Sequence, residues 1–316
     1  MKFRDILTAL LVVAILGVNF VAIKIGVAEI PPLLLTGLRF FFAAIPAVFF
    51  IKPPKVPPGF VIGFGVMLGV VQFGLLFTAI HLGMPAGLSS VVIQMQVFFS
   101  IALAYVCFGE TPSPLQIAGG IVAGTGILLI GILKGSGATP IPFLLVLGAG
   151  AAWGVANTIT KAAGRADMLA FVVWGSLAAP LPLFLLSAIL EGGPAIIAAL
   201  SQPSATAIGA VAFLAYPTTL LALVLWTNLL SRYTAATVTP FALLVPIAGI
   251  ASTHLILGEV ITTEEVLGSV FVLVGLAINV IGASKKFPGR SQRFAPADSA
   301  GGMEGRVPDQ TPASQA

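Results

Sequence analysis

Among the side chains with strong hydrogen-bonding groups inside long apolar stretches, Asn19, Arg39, Gln72, Gln94, Gln96 and Asn157 are the candidates for binding a small molecule. A carboxamide both donates and accepts, and a guanidinium presents a planar fork of donors that meets a carboxylate in two parallel bonds. Groups of this kind recognise a small zwitterion or carboxylate; they do not break bonds. Trp226 joins the set because an ammonium group can rest on an aromatic ring. A catalytic site needs a nucleophile with a base and an orienting group, and no such arrangement is visible. His and Cys do not cluster at metal-ligand spacing, and no Gly-Lys-Ser/Thr loop is present to cradle ATP phosphates. The reading is a small-molecule binding site with no catalytic residue, no metal and no cofactor.

Each residue also has a structural use. An amide within an apolar helix often bonds to a neighbouring helix, for about 0.6–2 kcal/mol. Arg39 can anchor the fold or pair with Glu29 or another helix end, and Trp226 can belong to an interfacial aromatic belt. Lys24 and Lys161 fall where helices leave the membrane, and lysine there commonly snorkels to the headgroups. Gln94 and Gln96 are two residues apart, about 200° around a helix, so at most one aims into a central cavity. Asn19 and Asn157 stand about one turn before the two lysines and recur in both halves, near the repeat axis, which favours a cavity role. Glu110 and Glu259 follow a glycine at span ends and are read as capping or pairing groups.

The elements that carry these groups must lie in a membrane. Hydrophobic residues make up 58% of the 316-residue chain and charged residues 8%, against about 25% charged in soluble domains. About 20 helical residues cross the hydrocarbon layer. Ten apolar runs have that scale: 6–25, 33–51, 59–80, 84–107, 115–133, 141–162, 168–190, 206–229, 235–257 and 265–283. They are continuously apolar, without the two-residue alternation of a barrel strand. The expected fold is all-α and integral to the membrane. The single cysteine, Cys107, excludes an intrachain disulfide and reads as a small buried apolar side chain.

The two halves repeat one another. Gly17 and Lys24 recur with the same spacing as Gly154 and Lys161. Phe108-Gly109-Glu110 recurs as Leu257-Gly258-Glu259, and Gly119 and Gly126 recur as Gly268 and Gly275. These later pairs share one offset, and it is longer than that of the first. The extra residues are placed in the loop Glu191–Ala205, whose Gly-Gly-Pro and Gln-Pro-Ser turns suit an extramembrane excursion. This gives a first repeat over 1–134, a second over 141–284 and a solvated, disordered cytoplasmic tail over 285–316. Five spans per half is an odd number, so the second half enters the membrane in the opposite sense. Inverted repeats place a substrate site at their interface, with alternating access as the natural motion.

Charge orients the chain. With the N-terminus inside, the inner loops and tail collect Lys2, Arg4, Lys52, Lys55, Lys161, Arg165, Arg232 and all the basic residues from Lys285 onward. The outside receives Lys134 and Lys24. The positive-inside rule then sets both termini in the cytoplasm. The net charge of +4 is a topology signal and calls for no nucleic-acid partner. The expected partners are the lipid bilayer and a small-molecule substrate; the sequence carries no signal for an oligomeric state.

Both halves resemble the EamA domain of the drug/metabolite transporter superfamily. The residues that carry this are Gly17-Val18-Asn19-Phe20 with Lys24, Pro32 through Leu38-Arg39-Phe40, Met84 through Ser90, and Phe108-Gly109-Glu110 with Gln116 and Gly119. The second half adds Trp153-Gly154, Pro240, Pro246, Gly258-Glu259 and Gly268. The proline that commonly precedes the Gly-Glu pair is present as Pro246, but Val97 takes its place in the first half. Gln94-Met95-Gln96-Val97-Phe98-Phe99 resembles the branch that exports O-acetylserine and cysteine. The resemblance implies ten helices, with the fifth and tenth outside a central cavity, and it draws Gln94 and Gln96 toward the substrate site. The function expected is export of small amino-acid-type metabolites; a drug or another metabolite is the alternative cargo. An intramembrane enzyme lacks its nucleophile, and a channel would need charged rings or oligomer symmetry.

Overall fold

The computed structural model describes residues 1–134, 140–164, 166–233 and 235–286. Among these, every regular element is helical. In chain order the main helices are α1 (Phe3–Glu29), α2 (Pro32–Val48), α3 (Pro58–His81), α4 (Ala86–Phe108) and α5 (Pro114–Lys134). The second half supplies α6 (Ile141–Ala162), α7 (Met168–Leu190), α8 (Ala205–Arg232), α9 (Ala235–Ala242 resuming as Leu244–Leu257) and α10 (Thr263–Lys286). Nine of the described helices are long and apolar enough to cross a membrane, while α2 is apolar but only 17 residues long. At 1.5 Å per residue it spans about 25 Å, the short end of the crossing range. The chain is thus a multi-pass helical membrane protein. The tail beyond Lys286 lies outside the described residues.

Two boundaries differ from expectation. Helix α1 continues to Glu29, so Lys24 stands more than a turn short of the helix end. The loop between α7 and α8 contains a helix, Gly193–Ser201, with Pro194 in its first turn. A proline at the first helical positions has its φ already set and needs no N–H, so the Gly-Gly-Pro sequence starts a helix here.

Side chains facing outward are apolar: Ile121, Leu128, Ile132, Leu181 and Ile189 are all exposed. Cys107 is exposed too, against the buried position expected. In lipid the outside of a bundle is as apolar as its inside, so an apolar run does not reveal which side a residue faces.

The halves pack reciprocally. Helix α1 lies on α9 as α6 lies on α4, and α3 lies on α7 as α8 lies on α2. A Cβ at Gly17 would stand 2.6 Å from Ala248, and one at Gly154 would stand 2.8 Å from Phe99. Phe99 and Ala248 are separated by the same offset as Gly109 and Gly258, so both crossings use equivalent residues. Helices α5 and α10 are antiparallel and meet backbone to backbone. A Cβ at Gly119 would lie 2.5 Å from the Gly275 carbonyl, and one at Gly126 equally close to that of Gly268. Each glycine thus faces the counterpart of the other, the pairing of an isologous twofold contact.

Irregularities recur at equivalent places. Helix α3 has a π-helical segment over Val66–Gln72, and α8 has one over Leu214–Leu221, the matching stretch of the second half. Pro217, which lacks an N–H, lies within the second. Helix α4 tightens into a 3-10 turn over Ile93–Met95, and α9 breaks at Leu243, the counterpart of Gln94. Pro246 explains the break in α9, because it cannot donate to the Ala242 carbonyl. Val97 can donate, and the first half stays helical through its 3-10 turn.

Candidate functional site

The start of α2 is fixed from the second half. The Glu191 carboxylate, at the end of α7, accepts the Leu33 N–H at 2.7 Å and the Leu34 N–H at 3.2 Å. These are orphan donors of the first helical turn, and a carboxylate there also complements the helix dipole. Two turns further on, Arg39 is buried, with 3% of its surface exposed. Its Nε donates to Thr219 Oγ1 at 3.1 Å and its Nη1 to Asn19 Oδ1 at 3.4 Å. The guanidinium carbon sits 4.0 Å from the centre of the Phe73 ring, with Phe40 and Phe77 at 5.6 and 5.9 Å.

Among the described residues no carboxylate lies within ion-pair distance of Arg39. Glu29, one of the partners considered for it, instead accepts from the Ser204 hydroxyl. An arginine at mid-membrane costs about 2.5–3.5 kcal/mol on insertion scales. The aromatic faces offset about 0.5–2 kcal/mol of that. The Nη2 amine has no hydrogen bond among the described residues. Arg39 is therefore a positive fork without an anion, at the contact of α1, α2, α3 and α8.

The other sequence-selected residues divide into four groups. Asn19 is buried beside Arg39. Asn157 donates to Gln96 Oε1 at 2.8 Å and to Ser100 Oγ at 3.0 Å, joining α6 to α4. The two asparagines thus do different work. Their positions explain it: with Gly17 aligned on Gly154, the counterpart of Asn19 is Ala156 and that of Asn157 is Phe20. One residue of register is about 100° of rotation, so each points to a different neighbour.

Gln72 is 1% exposed and neither of its amide atoms has a hydrogen-bond partner among the described residues. Gln94 is partly buried and its side-chain amide makes no hydrogen bond among the described residues. Trp226 packs with Ala9, Val12, Ala222 and Leu229 toward the start of α1, away from the Arg39 group. Thr219 and Ser100 were not singled out in the sequence. The signals for them were the paired threonines after Pro217 and the four-residue spacing of Ser100 from Gln96.

A cavity of about 930 Å³ opens at the end of the bundle carrying Glu29. Its walls include Val27, Val70, Gly74, Leu75 and Leu186, with Glu29, Thr78, His81 and Glu191 supplying polar edges. Arg39 does not line it. On α3, Val70, Gly74 and Thr78 face the cavity while Phe73 and Phe77 face Arg39, so the two lie against different faces of the same helix.

A family model described as the EamA-like transporter family matches the chain twice, over residues 4–132 and 140–281. A protein of Escherichia coli (strain K12) named "Probable amino-acid metabolite efflux pump" is 40% identical over 288 residues, covering 89% of this chain and 96% of its own length. A protein of the same name from Salmonella typhimurium (strain LT2) is 41% identical over the same shares. A crystal structure 18% identical to the chain superposes with a TM-score of 0.61, covering 90% of this chain and 99% of that one. The paired match, the helical architecture and the length of these alignments lead to one conclusion: the chain belongs to the EamA-like transporter family.

Proposed function

We propose that the protein exports small amino-acid-type metabolites, O-acetylserine and cysteine among them, across the cell membrane by alternating access. Arg39 holds the substrate carboxylate. The observation that carries this reading is the buried guanidinium with an unused donor and no acidic partner among the described residues. A bound carboxylate would complete it with charge-assisted bonds. Asn19 and Thr219 orient the fork, and the uncommitted amides of Gln72 and Gln94 supply acceptors for an ammonium or ester group. The printed names of the Escherichia coli and Salmonella relatives agree with this cargo.

The inverted arrangement of the halves belongs to the same proposal, with both termini in the cytoplasm as the basic residues require. The large, mainly apolar cavity favours a second cargo class, hydrophobic compounds. Counterflow in proteoliposomes separates the two. Labelled O-acetylserine or cysteine is expected to exchange, and Arg39→Lys is expected to abolish the exchange because an ammonium cannot reproduce the two-bond fork. Exchange of a hydrophobic cation that survives in Arg39→Lys would favour the second reading.

A further inference from the structure

The echo between Phe108-Gly109-Glu110 and Leu257-Gly258-Glu259 extends to atomic detail. Gly109 and Gly258 have φ of 65° and 66°, a left-handed conformation natural to glycine at a helix end. Gly109 N–H donates to the Tyr105 carbonyl at 3.0 Å and Glu110 N–H to that of Ala104 at 3.3 Å. Gly258 and Glu259 donate to the carbonyls of His254 and Thr253 at 3.1 and 3.4 Å. The acceptors keep the same offset as the donors. Helices α4 and α9 thus launch their glutamates from equivalent points.

The partner helices are equivalent as well. Seven residues beyond the close contact of Gly17 with Ala248 comes Lys24, and seven beyond that of Gly154 with Phe99 comes Lys161. Lys24 therefore relates to Glu259 as Lys161 relates to Glu110.

The two pairs are nevertheless in different states. Glu110 forms an ion pair with Lys161, whose ammonium also lies 5.0 Å from the centre of the Phe108 ring. Glu259 turns instead to the first turn of α4, accepting the Ala86 N–H at 2.9 Å and the Gly87 N–H at 3.0 Å. Lys24 has no carboxylate within ion-pair distance among the described residues. One lysine–glutamate pair is closed and its twin is open.

We propose that these two pairs close alternately: Lys24 meets Glu259 when Lys161 parts from Glu110. The released Glu110 then takes the first turn of the helix beginning at Ala235, the counterpart of Ala86. The inference rests on the alternating-access reading and names the contacts that change. In either state one carboxylate meets an ammonium and the other meets a helix N-terminus, so the exchange conserves the kinds of contact and keeps the two states close in energy. The closed pair is half exposed, which keeps it weak enough to break in every cycle. Leu257 replaces Phe108 beside the open pair, so the state with Lys161 and Glu110 closed has one added cation–π contact.

Cysteine cross-linking in the full chain carrying Cys107→Ser tests this. One variant adds Lys161→Cys and Glu110→Cys, a second adds Lys24→Cys and Glu259→Cys, and a third carries all four changes. With a short, reducible bis-methanethiosulfonate reagent, both pairs are expected to link. In the four-cysteine chain either link is expected to form, but not both in one molecule. Whatever efflux each unlinked variant retains is expected to stop on linking and return on reduction. Absence of the Lys24–Glu259 link in a four-cysteine chain that forms the other one would overturn the proposal. So would doubly linked molecules, or linked molecules that still export. Mutually exclusive links in a protein that carries no amino acid would support the exchange and sink the substrate assignment, since the linking itself needs no substrate.

Discussion

Arg39 shows how a single side chain can be legible in a sequence while its partners are not. A guanidinium seven residues into an apolar run is conspicuous, and its burial followed from that position. Thr219, which holds its Nε, is an ordinary threonine in a distant span of the other half, and only the fold brings them together. The asparagines recur at similar distances from the lysines, and a one-residue register difference gives them different neighbours. A charge at membrane depth carries an insertion cost that an apolar side chain of similar volume does not. Arg39→Met is therefore expected to leave the melting temperature unchanged or raised while weakening substrate binding by at least about 2 kcal/mol, ~30-fold. Thermal shift measured with and without substrate checks both halves of that statement. Gln96 is engaged by Asn157 and Gln94 is not. Gln94→Leu is expected to weaken binding by about 1–3 kcal/mol. Gln96→Leu is expected to cost stability by about 0.6–2 kcal/mol with affinity unchanged. Equal loss of affinity in both variants would mean that Gln96 also reaches the substrate.

Helices were the most readable features, because a run of about 20 apolar residues has few other uses. Their ends and irregularities were less so. The helix Gly193–Ser201 was hidden behind a Gly-Gly-Pro that also signals a turn. The π-helical segments of α3 and α8 leave no composition signature, since Pro217 marks one and no proline marks the other. Repeated glycines, by contrast, found their explanation in α5 and α10. A side chain at Gly126 would meet the Gly268 carbonyl and Phe271, and overpacking of this kind costs about 1–3 kcal/mol. Gly126→Val is expected to lower melting temperature and membrane abundance. Neither helix carries a candidate substrate ligand, so efflux per molecule is expected to persist. Abundance by immunoblot beside efflux rate distinguishes that outcome from a direct effect on transport.

At the scale of the molecule, the duplication was visible in spacing alone because membrane helices have nearly fixed length, so equivalent residues keep a constant offset between insertions. The conformational difference between the halves was not visible, since it depends on which of two equivalent contacts is made at a given moment. The proposed orientation rests on where lysine and arginine collect. A fluorescent reporter fused after Ser284 is expected to be bright and a phosphatase fused there inactive, whereas an active phosphatase would place the C-terminus outside and reverse the assignment of the two ends. Removing residues from Phe287 onward is expected to leave efflux unchanged, because that segment holds too few apolar residues to pack against the bundle. A normally inserted, transport-deficient truncation would give the tail a role.

The reciprocal glycine contact between α5 and α10 has a consequence for ancestry and assembly. A surface that pairs with its own counterpart about a twofold axis is one that two separate polypeptides could make without being joined. A five-helix protein bearing that surface would dimerise with a copy of itself inserted upside down, and fusing two such copies would leave each free to diverge. The peptide between α5 and α6 would then supply proximity and little else. Cutting the gene there and producing the two pieces together is expected to restore efflux, and either piece made alone is expected to be inactive.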